Sequence, residues 1–127
     1  MKILGTGIDI VETVRIADSV EKSGDAFLRR IFTPEELDYC LGHASATPHL
    51  AARFAAKEAV AKAFGTGIGA QLGWRDMSIR RQENGQPTVV FSGKALELVR
   101  QRGVQECLIS LTHSRDYAAA HAILIGE

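Results

Sequence analysis

Five side chains of this sequence have the types and spacing for phosphate chemistry: Asp9, Arg53, Lys57, Glu58 and Lys62. Glu58 and Lys62 stand one helical turn apart in an alanine-rich stretch, and Arg53 and Lys57 form a second pair of that spacing beside them. Asp9 interrupts an apolar run near the amino terminus. Two carboxylates and several cations around a divalent metal could handle a pyrophosphate. Hard carboxylates suit Mg²⁺, which takes one or two of them together with waters and substrate phosphates. A structural reading stands beside each assignment. Glu four residues before Lys is a favourable surface pair on any helix. Asp9 is also explained by a partly exposed strand end, since a charge in an apolar strand must be solvated, paired or metal-bound. Ala51, Ala55, Ala59 and Ala63 form a small-residue ridge that lets the helix approach another element closely. The charged flank then lies beside a tight junction rather than on an open surface.

The glycine-rich stretch after this helix, Gly65, Thr66 and Gly67, is not a phosphate-binding loop. It lacks the Lys-Ser/Thr ending and follows a helix where such a loop precedes one. The carboxyl end of a helix dipole repels anions. Gly65 reads as a left-handed helix terminator. Gly67 and Gly69 permit sharp turns that would let a ligand pass close to the backbone. His113 ends a predicted strand in a polar turn with Thr112, Ser114 and Arg115, where phosphate contact is open to it. His43, His49 and His121 carry no comparable signal. Cys40 and Cys107 show neither zinc spacing nor a disulfide framework.

The elements that must position these residues are legible in outline. Residues 3–11 read as a strand with Ile8 and Ile10 on one face and Gly7, Asp9 and Val11 on the other. Thr13 is placed to cap a helix running to about Lys22, and a short helix follows over residues 26–31. Thr33-Pro34-Glu35-Glu36 is a capping box with proline at the first helical position, and that helix ends near Gly42. Thr47-Pro48 repeats the start signal for a long helix over 48–64. Residues 76–82 and 87–91 read as strands joined by a turn at Asn84-Gly85. A helix opening at Ser92 or Gly93 ends at Gly103, and strands follow over 107–112 and 117–125. The mixture predicts an α+β fold: one compact domain over 1–127, with antiparallel strands around a long central helix.

Composition narrows the class. Fifteen basic and fifteen acidic residues balance, so no blanket attraction to nucleic acid is expected. No apolar run spans a membrane, and the amino-terminal run has no cleavage motif. With no disulfide framework, the expectation is a soluble cytoplasmic protein.

Taken in order, the blocks GIDIVETVR, FTPEEL, RFAAKEAVAKAFGTG and ISLTHSRDYAAA resemble the holo-[acyl-carrier-protein] synthases, the small 4′-phosphopantetheinyl transferases. The first and third match that family's GxD followed by [FW]xxKExxxK, and the resemblance covers nearly the whole chain. It implies transfer of the phosphopantetheine arm of coenzyme A to a serine of an acyl carrier protein, releasing adenosine 3′,5′-bisphosphate, in fatty acid biosynthesis. By resemblance, Asp9 and Glu58 hold Mg²⁺ on the pyrophosphate, and Glu58 and Lys62 are catalytic. Arg53, Lys57 and His113 lie around the nucleotide phosphates, and Gly65, Thr66 and Gly67 border the coenzyme A site. Arg15 faces the acidic carrier. The resemblance also implies a homotrimer with sites shared between subunits. One departure stands out. The first helix carries Glu12, Asp18, Glu21 and Asp25 beside Arg15 and Lys22, so docking is expected to lean also on Arg29 and Arg30. Two other classes fit the residues alone: a small metal-dependent pyrophosphate hydrolase, and a non-catalytic nucleotide-binding protein.

Overall fold

A computed structural model describes all residues, 1–127. The chain runs β1 (Lys2–Glu12), α1 (Thr13–Ser23), α2 (Asp25–Ile31), α3 (Pro34–Leu41) and α4 (Thr47–Phe64). A 3₁₀ turn (Trp74–Asp76) leads into β2 (Met77–Arg81), β3 (Pro87–Phe91), α5 (Lys94–Gln101), β4 (Val104–His113) and β5 (Tyr117–Gly126). Strands β1, β5 and β4 form an antiparallel sheet in that order, and β2 and β3 form a separate hairpin. The fold is α+β, as the alternation of strand and helix signals predicts.

Helix α4 is the centre of the molecule and lies on the inner face of the three-stranded sheet. Its approach is set by small residues on both sides. Ala51, Ala55, Ala59 and Ala63 are all buried. Opposite them, a Cβ on Gly5 would strike the Ala63 carbonyl, and one on Gly7 the Ala59 carbonyl. Only glycine lets the β1 backbone touch the helix there. The same alternation turns Ile8 and Ile10 outward, each 67% exposed. Val11 faces the helix and is buried.

The local signals are met with three adjustments. Thr33 and Glu36 form the reciprocal capping box, and Gly65 ends α4 at φ 78°. Thr13, expected to cap α1, is instead its first residue, and its hydroxyl donates to the Arg115 carbonyl at 2.9 Å. It ties the start of α1 to the β4–β5 turn. Helix α4 begins at Thr47 with no side-chain cap. The Asn84-Gly85 turn sits in a five-residue loop between Arg81 and Pro87, closed by Gln82 N–H donating to the Gln86 carbonyl.

Candidate active site

The site is assembled where α4 crosses β1. Asp9 projects from β1 toward the helix, with its side chain 15% exposed. Lys62 Nζ reaches across from α4 and donates to Asp9 Oδ1 at 3.0 Å and to the Ile8 carbonyl at 2.9 Å. The helical pair read from spacing, Glu58 with Lys62, is therefore not the ion pair that forms. Glu58 sits one turn earlier, half-buried, in a cavity of about 330 Å³ that it shares with Asp9, Arg15, Phe27 and Phe54. Burial first, and then the charge of Asp9, raise the Glu58 pKa above the usual carboxylate range, while Lys62 opposes them. Two carboxylates close enough to repel each other could hold a hard divalent ion. Such an ion draws its remaining ligands from water and substrate, which is the habit of Mg²⁺. Arg15, exposed on α1, opens onto the same cavity.

A second cavity, about 300 Å³, lies over the opposite edge of the sheet. Arg53, His49, Arg81, Tyr39, Thr112 and His113 line it, and it shares no residue with the first. Arg53 is only 3% exposed. Its guanidinium lies 4.1 Å from the centre of the Tyr39 ring, and its Nε has no hydrogen-bond partner. A buried guanidinium donor without an acceptor is costly, and an anion in the cavity would supply one. The Tyr39 hydroxyl accepts from Arg81 Nη1 at 3.0 Å, so one ring orients two cations. The sequence reading brought Arg53 and His113 to this place and missed Tyr39, His49 and Arg81. The signal for His49 was available: it precedes Arg53 by one helical turn.

Lys57 departs from its expected place at the nucleotide phosphates. It is fully buried and paired with Glu36 at 2.5 Å, and it also donates to the carbonyls of Ile31 at 2.7 Å and Trp74 at 3.0 Å. An ammonium has three protons, and all three are engaged. Glu36 in turn accepts from the backbone N–H of Thr33 and Ile79. The pair fastens α4 to α2, α3 and β2 behind the site; it does not face either cavity.

The remaining predicted residues are peripheral. Gly65, Thr66 and Gly67 form an open turn just beyond Lys62, with φ of 78° at Gly65 and 66° at Gly67, and line neither cavity. Arg29 and Arg30 are exposed at the end of α2, and Arg29 lies 4.0 Å from Asp25. Burial pushes the Cys40 thiol up to about 11 and that of Cys107 up to about 12, so neither is a thiolate nucleophile at neutral pH.

The sequence model of the 4′-phosphopantetheinyl transferase superfamily matches residues 5–122. A holo-[acyl-carrier-protein] synthase of Koribacter versatilis is 49% identical over 122 residues, covering 96% of this chain and 98% of that one. The crystal structure of the holo-[acyl-carrier-protein] synthase from Neisseria meningitidis superposes with a TM-score of 0.92 at 35% identity, covering 98% of this chain and 99% of that one. The Helicobacter pylori holo-[acyl-carrier-protein] synthase, solved in complex with coenzyme A, gives 0.85 at 30% identity, covering 94% and 99%. A sequence match over nearly the whole length, on a fold that brings Asp9, Glu58 and Lys62 together, makes this chain a member of the holo-[acyl-carrier-protein] synthase family within the 4′-phosphopantetheinyl transferases.

Proposed function

We infer that this chain transfers the 4′-phosphopantetheine group of coenzyme A to a serine of apo-acyl carrier protein, in fatty acid biosynthesis. The observation that carries the reading is the convergence of Asp9, Glu58 and Lys62 at one junction between α4 and β1. In the reaction the serine hydroxyl attacks the β-phosphorus of coenzyme A. A bond from serine oxygen to phosphorus forms, and the bond to the bridging oxygen of the pyrophosphate breaks. Adenosine 3′,5′-bisphosphate leaves with the electron pair, and the serine proton goes to a base.

Glu58 is placed to be that base, directly or through a water. Its raised pKa gives it more proton affinity than an ordinary carboxylate. Asp9 and Glu58 would hold Mg²⁺, which supplies positive charge to the pyrophosphate oxygens. Lys62 stands beside Asp9 to meet the charge that grows on the leaving phosphate. Arg15, at the mouth of the same cavity, is positioned to hold an acidic carrier so that its serine enters. Arg29 and Arg30, exposed at the end of α2, would add positive charge for the carrier. Arg53 and His113 would bind phosphates at the nucleotide end, and Gly65, Thr66 and Gly67 would border the pantetheine and pyrophosphate path.

Carboxylates and nucleotide-binding cations lie over opposite edges of one sheet, in separate cavities. A homotrimer in which neighbours contribute complementary halves accounts for this separation. The outer face of the sheet supports it. Ile8, Ile10, Leu108 and Tyr117 are exposed there, a patch of the kind that marks an interface. The two free cysteines suit a reducing compartment, which supports a cytoplasmic location.

The test is to incubate the chain with coenzyme A, Mg²⁺ and an apo-acyl carrier protein and to weigh the carrier by mass spectrometry. A phosphopantetheine mass gain is the expected result. Phosphate release without that gain would make the protein a hydrolase, and no reaction would make it a binding protein.

A further inference from the structure

The cavity of Tyr39, Arg53, Arg81 and His113 holds more positive charge than its neighbours balance. No carboxylate lines it. Glu35, in the adjoining depression shared with Tyr39, Arg53 and Arg81, is taken by Arg80 at 2.6 Å. Into this surplus points His49, on the first turn of α4. Its ring stacks on His43 with centroids 3.7 Å apart, and meets His113 edge-on at 5.2 Å. His43 is fixed in turn, because its Nδ1–H donates to the Tyr39 carbonyl at 2.8 Å. His49 has no hydrogen bond of its own to a protein group among those formed around it. Burial, then His43, His113, Arg53 and Arg81, hold its pKa below that of a free imidazole. The neutral ring is therefore the ground state of the free protein near pH 7.

A phosphomonoester opposes the cationic repulsion among these causes, though not the burial. Its charge near neutrality is between −1.5 and −2, as for any phosphate monoester with a second pKa of about 6. Placed among Arg53, Arg81, His113 and His49, it offsets the repulsion that kept His49 neutral. Resting on the reading that this cavity takes the phosphates of the nucleotide end, we propose that His49 is a further phosphate-binding residue, one that takes up a proton as the 3′-phosphate of coenzyme A enters. The sign follows from linkage. A complex that binds more protons than its free components tightens as pH falls, by at most about tenfold per proton per pH unit. The gain is confined to roughly pH 6–8, because below about pH 6 the ligand phosphate itself protonates and loses charge.

Isothermal titration calorimetry of the Mg²⁺-loaded protein near neutral pH decides it, in two buffers of different ionisation enthalpy. Coenzyme A and 3′-dephospho-coenzyme A are the two probes. Uptake common to both belongs to the pyrophosphate site, and the difference belongs to this cavity. The expected result is net uptake of part of a proton with coenzyme A alone. Its Kd should tighten about two- to fivefold over one pH unit within the window, in proportion to the fraction of a proton taken up. In His49→Gln the extra uptake and the slope should vanish, while coenzyme A still outbinds its dephospho form through Arg53. Persistence of the same extra uptake in His49→Gln overturns the proposal and leaves the underlying reading intact. Equal affinity of the wild-type protein for both probes overturns that reading, and this inference with it. Should His49→Gln fail to fold, the absence of any extra uptake in the wild-type protein is sufficient to reject the proposal.

Discussion

Glu58 is held where its negative charge costs stability. It is half-buried beside a second carboxylate, and its pKa is raised, so its charged form is less comfortable folded than unfolded. For a group whose folded pKa lies above its unfolded value, the stabilising contribution is present at low pH. It is lost as pH rises through the folded pKa. Glu58→Gln should therefore melt at a higher temperature than wild type at neutral pH in metal-free buffer. The gap should close on acidification below the carboxylate range. A lower Tm for Glu58→Gln at neutral pH would contradict this account. The same variant, like Asp9→Ala, should lose transfer activity, and should not share the rise in Tm expected of the wild type with Mg²⁺. Lys62 makes a different prediction. If it meets charge that exists only in the transition state, Lys62→Ala lowers kcat by about 10²–10³ with little change in KM for coenzyme A. A raised KM at unchanged kcat would show that it binds the ground-state phosphates instead.

At the scale of elements, α4 is aligned by two devices on opposite sides. On the sheet side, Gly5 and Gly7 admit Ala63 and Ala59, and this contact brings Asp9 up to Glu58 and Lys62. On the other side, Lys57 and Glu36 bind α4 to the elements behind it. Burial lowers the Lys57 pKa and Glu36 only partly offsets it, so each member of the pair depends on the other in the interior. Lys57→Met should cost about 3–5 kcal/mol in urea denaturation, because it strands a buried carboxylate. What remains folded should keep a near-normal KM for coenzyme A. A small stability loss with a large rise in that KM would return Lys57 to the phosphates. Helix α1 has the opposite character: it is exposed and mixed in charge, and Arg15 is the cation at the cavity. Arg15→Glu should raise KM for the carrier far more than KM for coenzyme A. Added salt should mimic it, since exposed charges are screened over about 8–10 Å. Unchanged carrier kinetics at low ionic strength would send the search for a docking surface elsewhere.

For the whole molecule, the outward face of the sheet is the feature a lone chain leaves unexplained. Ile8 and Ile10 on β1 are as exposed as surface charges usually are, and β1 is a strand edge to edge with β5. Ile10 pairs across β5 with Ala119, which pairs with Thr112 on β4, the residue before His113. The apolar face and the cavity of Arg53 and His113 are thus adjacent. Association through this face would bring one chain's cations toward a neighbour's carboxylates. Ile10→Glu should yield monomers by light scattering, with transfer activity reduced by at least about tenfold and the fold retained by circular dichroism. Full activity in a monomeric Ile10→Glu protein would separate catalysis from assembly.

Much of this was legible in the sequence because the signals were local. A capping box, a left-handed glycine and an Asn-Gly turn each act within a few residues, so Thr33, Gly65 and Gly85 marked their elements without reference to the rest of the chain. Helical spacing likewise placed Glu58 and Lys62 on one flank of α4. The sequence also placed Asp9 on the face of β1 opposite Ile8 and Ile10. Which face would be covered was another matter. Alternation gives two faces and no label, and here the glycine face went inward while the isoleucines stayed out. Partners chosen across long separations were equally hidden. Lys62 pairs with Asp9, 53 residues away, in preference to Glu58 four residues away. Lys57 reads like its exposed neighbours until α2, α3 and the Trp74 turn close over it. His113 joins the stacked His43 and His49 only when β4 is laid beside α4. Local sequence sets backbone conformation, whereas burial and charge pairing depend on which elements meet, and only the packed fold decides that.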